Sequence, residues 1–214
     1  MNHQTTLKAL AVLLDYPSDA LVAAHQEIRE AIRSLAPAER ADVTTLIDEI
    51  VGGDLLELQA AYVGLFDRNP RLSLNLFEHV CGDSRVRGQA MVALLTRYRR
   101  AGIEPAGAEL PDYLPIYLEF ASSRPALEAE ALLAEIAHVL APVRDRLVKR
   151  GSAYAGVFDA LIGLTGKNRE FPRATAPEEP EEPEDIDRAW AEAPVEFGPG
   201  AAPACSDGSA MRSS

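Results

Sequence analysis

Apolar residues recur at three- and four-residue spacing along most of the chain, and this spacing is typical of helices that bury one face. Stripes of this kind cover residues 21–32, 55–65, 86–98 and 132–147, and a last helix is expected over about residues 153–164. Patterns that alternate with the two-residue period of a strand are almost absent. The sequence therefore predicts an all-α, single-domain helical bundle over about residues 5–165.

Polar residues and glycines give the expected ends of these helices. Asp54 with Glu57 resembles a capping box, Ser84 is expected to open a helix, and Gly102 is expected to stop it. Pro142 falls inside the longest stripe, where its ring should clash with the carbonyl of His138 and kink or break the helix. The stripe after Ser84 predicts an inward face, whose residues are Val86, Met91, Leu94, Leu95 and Tyr98.

The composition changes after Lys167, and the chain divides into an expected helical domain, 1–168, and an acidic Pro/Glu-rich tail, 169–214. Residues 177–187 are almost entirely proline and acidic residues, so they are expected to stay extended and solvated. Residues 1–168 carry 17 Lys/Arg and 22 Asp/Glu, and residues 169–214 carry 4 and 11, which sum to the net charge of −12. This charge argues against nucleic acid as a partner and favours a basic peptide.

Several functional classes find little support in the sequence. No stretch approaches the roughly 20 apolar residues that cross a bilayer, and the N-terminus lacks the features of a secretory signal. Cys81 and Cys205 are isolated, which favours a cytoplasmic location and gives no metal-ligand spacing. Cys81 is expected to be a buried small residue. No cofactor or metal site and no catalytic residue are predicted.

Residues 109–120, ELPDYLPIYLEF, combine carboxylates with aromatic side chains that carry polar groups. Asp112 is a good candidate for a helix N-cap, which would put Pro115 at the third helical position. Two interpretations of the aromatic stripe stay open. It is the core face of a helix, or it is a surface that receives an apolar, positively charged peptide helix.

Two motif blocks resemble a known family. ELPDY (109–113) followed by LEF (118–120) resembles the E-x-P-D-[HY]…L-x-F signature of the redox-enzyme maturation chaperones. YVGLFD (62–67), SLNLFEHV (73–80), Gly82 and RGQAM (87–91) make the chain similar to the NarJ-type assembly chaperones of respiratory nitrate reductase. The likeness covers roughly residues 7–165, and Tyr113 stands where other members commonly carry His.

The resemblance implies a cytoplasmic, non-catalytic chaperone. Such a protein binds the N-terminal amphipathic peptide of the nitrate reductase catalytic (alpha) subunit and holds that subunit competent for molybdenum-cofactor insertion. It does not insert into the membrane itself. The matching residues implied to bind the peptide are Glu109, Asp112, Tyr113, Tyr117 and Glu119, with Phe66, Asp67, Glu78 and His79 as second choices.

Two alternatives remain at this point. One is a chaperone for another molybdoenzyme, such as a dimethyl sulfoxide or trimethylamine N-oxide reductase, although the FEHV block (77–80) argues against it. The other is a small helical hydrolase that uses His79. The neighbouring Glu78 does not form a simple dyad with it, because adjacent residues on a helix point in different directions.

Overall fold

A computed structural model of the protein describes residues 3–81, 84–104 and 109–165, and within these ranges it is helical, with no strand. The predicted all-α architecture is confirmed, and the expected tail lies outside the described residues. The described residues form nine α-helices, which are α1 His3–Leu13, α2 Asp19–Ala23, α3 His25–Ala31, α4 Pro37–Gly52, α5 Leu55–Tyr62, α6 Ser84–Arg100, α7 Leu114–Ser122, α8 Ala126–Lys149 and α9 Ala155–Gly163. A π-helical turn, Val63–Asp67, extends α5, and short 3₁₀ turns occupy Ile32–Ser34, Pro70–Leu72 and Leu76–Glu78.

The core lies where α1 packs on α7 and where α9 packs between α4 and α8. Helix α9 is buried almost all round, as expected for the central helix of a bundle. The apolar N-terminal run contributes leucines to the core. Leu7 and Leu10 of α1 and Leu14, which directly follows α1, are fully buried. No helix among the described residues is both long enough and apolar enough to span a bilayer.

Local signals explain most helix ends. The Asp54 carboxylate accepts hydrogen bonds from the backbone N–H groups of Leu56 and Glu57, which confirms the predicted cap of α5. Helix α6 begins at Ser84, as predicted. Gly102 and Gly151, with φ of 76° and 64°, follow α6 and α8 in the left-handed conformation that glycine adopts without strain.

Three expectations about the helices were wrong. The stripe 21–32 is divided at Ala24 into α2, α3 and a 3₁₀ turn. Helix α8 runs unbroken through Pro142, so the break that was one of the two expected effects does not occur. Because both Pro142 and His138 are exposed, water can satisfy the carbonyl that the proline leaves without a donor. Val86 does not face inward, since 53% of its surface is exposed.

Helix α6 is held mainly through its second half. Leu94 and Tyr98 are its buried residues, whereas Met91 and Leu95 are only half-buried. The Tyr98 hydroxyl donates to the carbonyl of Pro111 at 2.8 Å, and its ring packs on Phe120. These contacts tie α6 to the segment that precedes α7, where one of the two motif blocks lies.

Candidate peptide-binding cleft

An open cleft of about 550 Å³ lies where the end of α1, the π-turn and its following loop, and the segment before α7 meet. These three segments are far apart in sequence, and the core packing of α1 on α7 brings them together. The residues that line it are Asp15, Tyr16, Tyr62, Phe66, Asp67, Pro70, Ser73, Leu74, Asn75, Glu78, Glu109 and Tyr113.

Aromatic rings form the floor of the cleft. Tyr62 and Phe66 are each only 3% exposed, and their ring centroids lie 4.9 Å apart. Tyr154 of the α8–α9 connection supports both rings from below, at 6.2 Å from Tyr62 and 5.0 Å from Phe66. Tyr16 packs edge-on against Tyr62 and is 45% exposed. The floor is therefore rigid, and Tyr16 is the ring most available to a ligand.

The π-turn places Asp67 on the side of the chain that faces the cleft. The backbone N–H of Arg68 bonds to the carbonyl of Val63 at 3.0 Å, which is the i→i+5 pattern of a π-helix. This wider turn keeps residues five apart on one face, so Asp67 faces the cleft together with Tyr62. In a regular α-helix, residues five apart lie on different faces.

Two tyrosine hydroxyls form a chain at the edge of the floor. The Tyr62 hydroxyl donates to the carbonyl of Leu14 at 2.8 Å, and it also lies 2.8 Å from the Tyr113 hydroxyl. Since Tyr62 has committed its single hydrogen, Tyr113 is the donor of the second bond. Burial raises the pKa of both hydroxyls above the usual value, so both are neutral at physiological pH.

Carboxylates form the rim. Asp15, Asp67, Glu78 and Glu109 are exposed, and the residues that line the described cleft include no lysine or arginine. Glu78 accepts a hydrogen bond from the Arg87 guanidinium of α6 at 3.1 Å. An apolar floor inside an acidic rim is suited to a ligand that is both apolar and positively charged.

The two motif blocks meet in a short antiparallel bridge between Asn75 and Tyr113. The N–H of Leu76 bonds to the carbonyl of Asp112 at 3.0 Å, and the N–H of Leu114 bonds to the carbonyl of Leu74 at 2.8 Å. This bridge holds the 73–78 side of the cleft against the 109–113 side. The spatial contact between two blocks some 35 residues apart explains why both carry distinctive sequence.

Asp112 belongs to this bridge and not to the cleft. It is fully buried, and its Oδ2 accepts a hydrogen bond from the N–H of Phe77 at 2.9 Å. The expected N-cap role is wrong, because Tyr113 occupies the N-cap position of α7 without a side-chain cap, and Pro115 is the second helical residue. Burial raises the pKa of Asp112, and the Phe77 N–H and the positive charge of Arg87 partly oppose that rise.

The structure brings five of the nine predicted site residues into the cleft, namely Phe66, Asp67, Glu78, Glu109 and Tyr113. Tyr117, Glu119 and His79 do not line it. Tyr117 is buried, and its hydroxyl donates to the carbonyl of Leu132 in α8 at 3.0 Å. His79 donates from Nε2 to the carbonyl of Ser73 at 2.8 Å, and Glu119 lies exposed on α7.

Sequence reasoning missed the contribution of α1. Asp15 and Tyr16 lie just beyond its C-terminal end and complete the cleft opposite Tyr113. The signal available in the sequence was an acidic residue and an aromatic residue that directly follow an apolar run and precede Pro17. That pattern marks a helix end, but nothing local shows which surface it faces.

The described residues give no support to hydrolysis at His79. Within residues 3–81, 84–104 and 109–165, no three His, Cys, Asp or Glu side chains gather as a metal site. Glu78 bonds to Arg87 and His79 to a backbone carbonyl, so the two do not act on each other. Cys81 is half-buried, which differs from the full burial expected of it.

Comparison with known proteins decides the family. Residues 11–160 match the nitrate reductase delta subunit family. The chain belongs to that family. It is similar to the nitrate reductase molybdenum cofactor assembly chaperone NarJ of Escherichia coli, with 39% identity over 86% of this chain and 81% of that protein. It is also similar to the probable assembly chaperones NarW of Escherichia coli, at 37% identity over 93% and 86%, and NarJ of Bacillus subtilis, at 30% over 75% and 88%.

A solved structure shows the same fold. A putative redox enzyme maturation protein from Archaeoglobus fulgidus superposes with a TM-score of 0.55 over 77% of this chain and 94% of that one. Its sequence identity of 21% supports the architecture alone. The two proteins therefore share an architecture.

Proposed function

We propose that this delta subunit family member is a dedicated assembly chaperone that binds the catalytic subunit of nitrate reductase and holds it ready for insertion of the molybdenum cofactor. Its relatives NarJ and NarW, a known and a probable nitrate reductase molybdenum cofactor assembly chaperone, support this role. The observation that carries it in this chain is the cleft with an aromatic floor and a rim of four carboxylates, built from both motif blocks. No catalytic step is part of the proposal.

The bound element is the N-terminal segment of the catalytic subunit, in the form of an amphipathic helix. Its apolar face would lie mainly on Tyr16, which is 45% exposed and is supported from beneath by the buried rings of Tyr62 and Phe66. Its basic side chains would pair with Asp67 and Glu109 on the rim. Because such pairs are exposed, they raise the association rate and select the register of the peptide more than they increase its affinity.

A titration of a synthetic peptide with the full-length chain tests this proposal. The peptide comprises the first 30 or so residues of the cognate catalytic subunit, and calorimetry measures its affinity. The double variant Asp67→Asn, Glu109→Gln removes two rim charges and should weaken binding about tenfold at low salt, with a smaller loss as salt screens the pairs.

Two variants provide the control, Glu119→Gln alone and Glu119→Gln with Glu128→Gln. Glu119 lies exposed on α7 and Glu128 lies exposed near the start of α8, and neither lines the cleft. The double control has the same change in net charge as the rim variant. Equal losses in both double variants would assign the effect to overall charge and would remove the cleft from the proposal.

A further inference from the structure

Helix α6 is bonded to both sides of the cleft, once near each of its ends. Near its start, the Arg87 Nη2 donates to the Oε1 of Glu78 at 3.1 Å, and Glu78 lines the cleft. Near its end, the Tyr98 hydroxyl donates at 2.8 Å to the carbonyl of Pro111, which lies in the other motif block. The helix therefore connects the two sides that the motif blocks form.

The two ends of α6 are held by different kinds of contact. Tyr98 is fully buried, and its ring packs on Phe120 with the centroids 4.8 Å apart. Leu94 is also buried, whereas residues 85–93 include no buried side chain. Buried apolar contacts hold a segment more firmly than an accessible ion pair does, so the start of α6 is the end that can separate from the cleft.

The ion pair at the start of α6 is open to exchange. The side chains of Arg87 and Glu78 are 29% and 30% exposed, so a ligand in the cleft can reach the pair. Partly exposed ion pairs add little net stability, and breaking one therefore costs little. Arg87 also lies within electrostatic range of Asp112, whose pKa its positive charge lowers. Arg87 thus keeps an acidic group nearby when its bond to Glu78 is broken.

Glu78 differs from the other carboxylates of the rim. Among the described residues, the ion pairs include none that uses Asp15, Asp67 or Glu109. Glu78 already carries an arginine of its own chain. A peptide cation at Glu78 has to replace that arginine or share the carboxylate with it, and sharing would place two positive charges side by side.

We propose that Arg87 competes with the peptide for Glu78, and that a basic side chain of the bound peptide displaces Arg87 and releases the start of α6. This inference rests on the proposed function. In the free protein, the Arg87 guanidinium takes the place of the peptide's cation. Displacement exchanges one ion pair for another of the same kind, so Glu78 adds little net affinity in the wild-type protein.

The competition makes Glu78 a test of register. A peptide cation held at Asp67 or Glu109 gains nothing from Glu78, because it does not replace Arg87. A peptide gains from Glu78 when a basic side chain reaches this carboxylate while the apolar face rests on Tyr16. Arg87 is therefore a specificity-determining residue, although it does not line the cleft.

A double-mutant cycle on peptide binding tests the competition. Calorimetry at low salt measures the affinity of the N-terminal peptide of the catalytic subunit for four full-length proteins, which are the wild type, Arg87→Gln, Glu78→Gln and the double variant. Arg87→Gln should bind about threefold more tightly, because Glu78 is then unoccupied. Glu78→Gln alone should change affinity little, whereas in the Arg87→Gln background it should remove the whole gain.

A second ion pair of α6 provides the matched control. Arg97 pairs with Glu135 of α8 at 2.9 Å, and neither residue lines the cleft. The same cycle with Arg97→Gln and Glu135→Gln makes identical changes in net charge, and its effects on peptide affinity should be additive. Thermal melting of every variant verifies that it folds.

Arg87→Lys separates the competition from a structural role of Arg87. Lysine keeps the positive charge near Asp112 but lacks the planar fork of the guanidinium, so it should pair less well with Glu78. The gain in peptide affinity should therefore lie between those of the wild type and Arg87→Gln. This variant also serves if Arg87→Gln does not fold.

Hydrogen exchange tests the release of α6. In the wild-type protein, peptide binding should speed the exchange of the backbone amides of residues 87–93. Exchange of residues 95–100 should stay unchanged, since Tyr98 still holds the second half of the helix. In Arg87→Gln the start of α6 is already released, so the peptide should have little effect there.

The outcomes separate this inference from the proposed function. If the peptide binds none of the proteins, the proposed function fails and the competition fails with it. If the peptide binds but Arg87→Gln gives no gain, or if the gain survives the removal of Glu78, the competition alone is overturned. Exchange at residues 87–93 that slows or stays the same on binding would overturn the release of α6.

Discussion

Asp112 is a motif residue that supports one wall of the cleft without lining it. Its carboxylate joins the two motif blocks through the N–H of Phe77, while Oδ1 is buried without a hydrogen-bond partner among the described residues. A buried carboxylate with one unsatisfied oxygen is costly when ionised. Its hydrogen bond with Phe77 holds together the bridge that shapes one wall of the cleft.

The raised pKa of Asp112 predicts how stability depends on pH. The native state binds more protons than the unfolded state between about pH 3.9 and the higher native pKa, so this group lowers stability as pH rises through that window. Asp112→Asn removes the effect. The free energy of unfolding of the variant minus that of wild type should therefore increase from about pH 4 upward and level off above the native pKa.

Urea unfolding of both proteins at several pH values measures this difference. Glu78 and Arg87 also act on the Asp112 carboxylate, and both residues are unchanged in the variant. A difference that decreases as pH rises would mean that the native pKa is depressed instead. Peptide affinity should change little, because Asp112 does not line the cleft.

Tyr117 is a second motif residue for which a structural role can be distinguished from a role in peptide binding. Its ring is buried and its hydroxyl reaches Leu132 in α8, so Tyr117→Phe should lower the free energy of unfolding by about 1 kcal/mol without weakening peptide binding. Chemical denaturation and calorimetry measure the two quantities. A variant that keeps its stability but binds several-fold more weakly would put Tyr117 back on the binding surface.

At the scale of elements, the contact between α4 and α9 depends on a small residue. A Cβ built on Gly156 would lie 2.7 Å from Cβ and 2.9 Å from the carbonyl carbon of Asp42, where ordinary side chains do not fit. Gly156→Ala should therefore force α4 and α9 apart and lower the free energy of unfolding by about 1–3 kcal/mol.

Gly88→Ala is the matched control for that substitution. Gly88 lies in α6 and is exposed, and an added Cβ there meets nothing within 4 Å. The helix should gain up to about 1 kcal/mol, because alanine loses less conformational freedom than glycine. Thermal melting of the two variants should show shifts of opposite sign. A neutral Gly156→Ala would mean that α4 moves freely against α9.

At the scale of the whole molecule, charge is distributed unevenly. Residues 169–214 carry 4 basic and 11 acidic residues, or 4 − 11 = −7, of the total of −12. Deletion of 169–214 should leave the described bundle folded and the peptide off-rate almost unchanged, but should slow association with a basic peptide at low salt. The difference should shrink as the Debye length falls toward about 8 Å near physiological ionic strength.

Stopped-flow binding of the full-length and truncated proteins at two salt concentrations measures this effect. Tighter binding after truncation at every salt concentration would mean that Trp190, Phe197 or their neighbours compete with the peptide. That result would exclude the steering explanation.

The sequence by itself determined the helices, the fold class and the family. Helical periodicity depends only on the local spacing of apolar residues, so helices can be predicted without knowing the tertiary contacts. Helices α5, α6, α8 and α9 appear where the stripes predict them. The acidic and aromatic character of the site was also visible, because motif composition reports chemistry directly. Phe66, Asp67, Glu78, Glu109 and Tyr113 were chosen from the motifs for this reason, and all five line the cleft.

Only the tertiary structure decided which motif residues line the cleft. Asp112 and Tyr117 have the same residue chemistry as Asp67 and Tyr113, and what separates them is the packing of α7 on α1 and α8. Local spacing says nothing of contacts such as that between Asn75 and Tyr113, or of a π-turn that rotates Asp67 into the cleft. A side chain's role at this site is set by long-range packing, and that is a property of the folded chain as a whole.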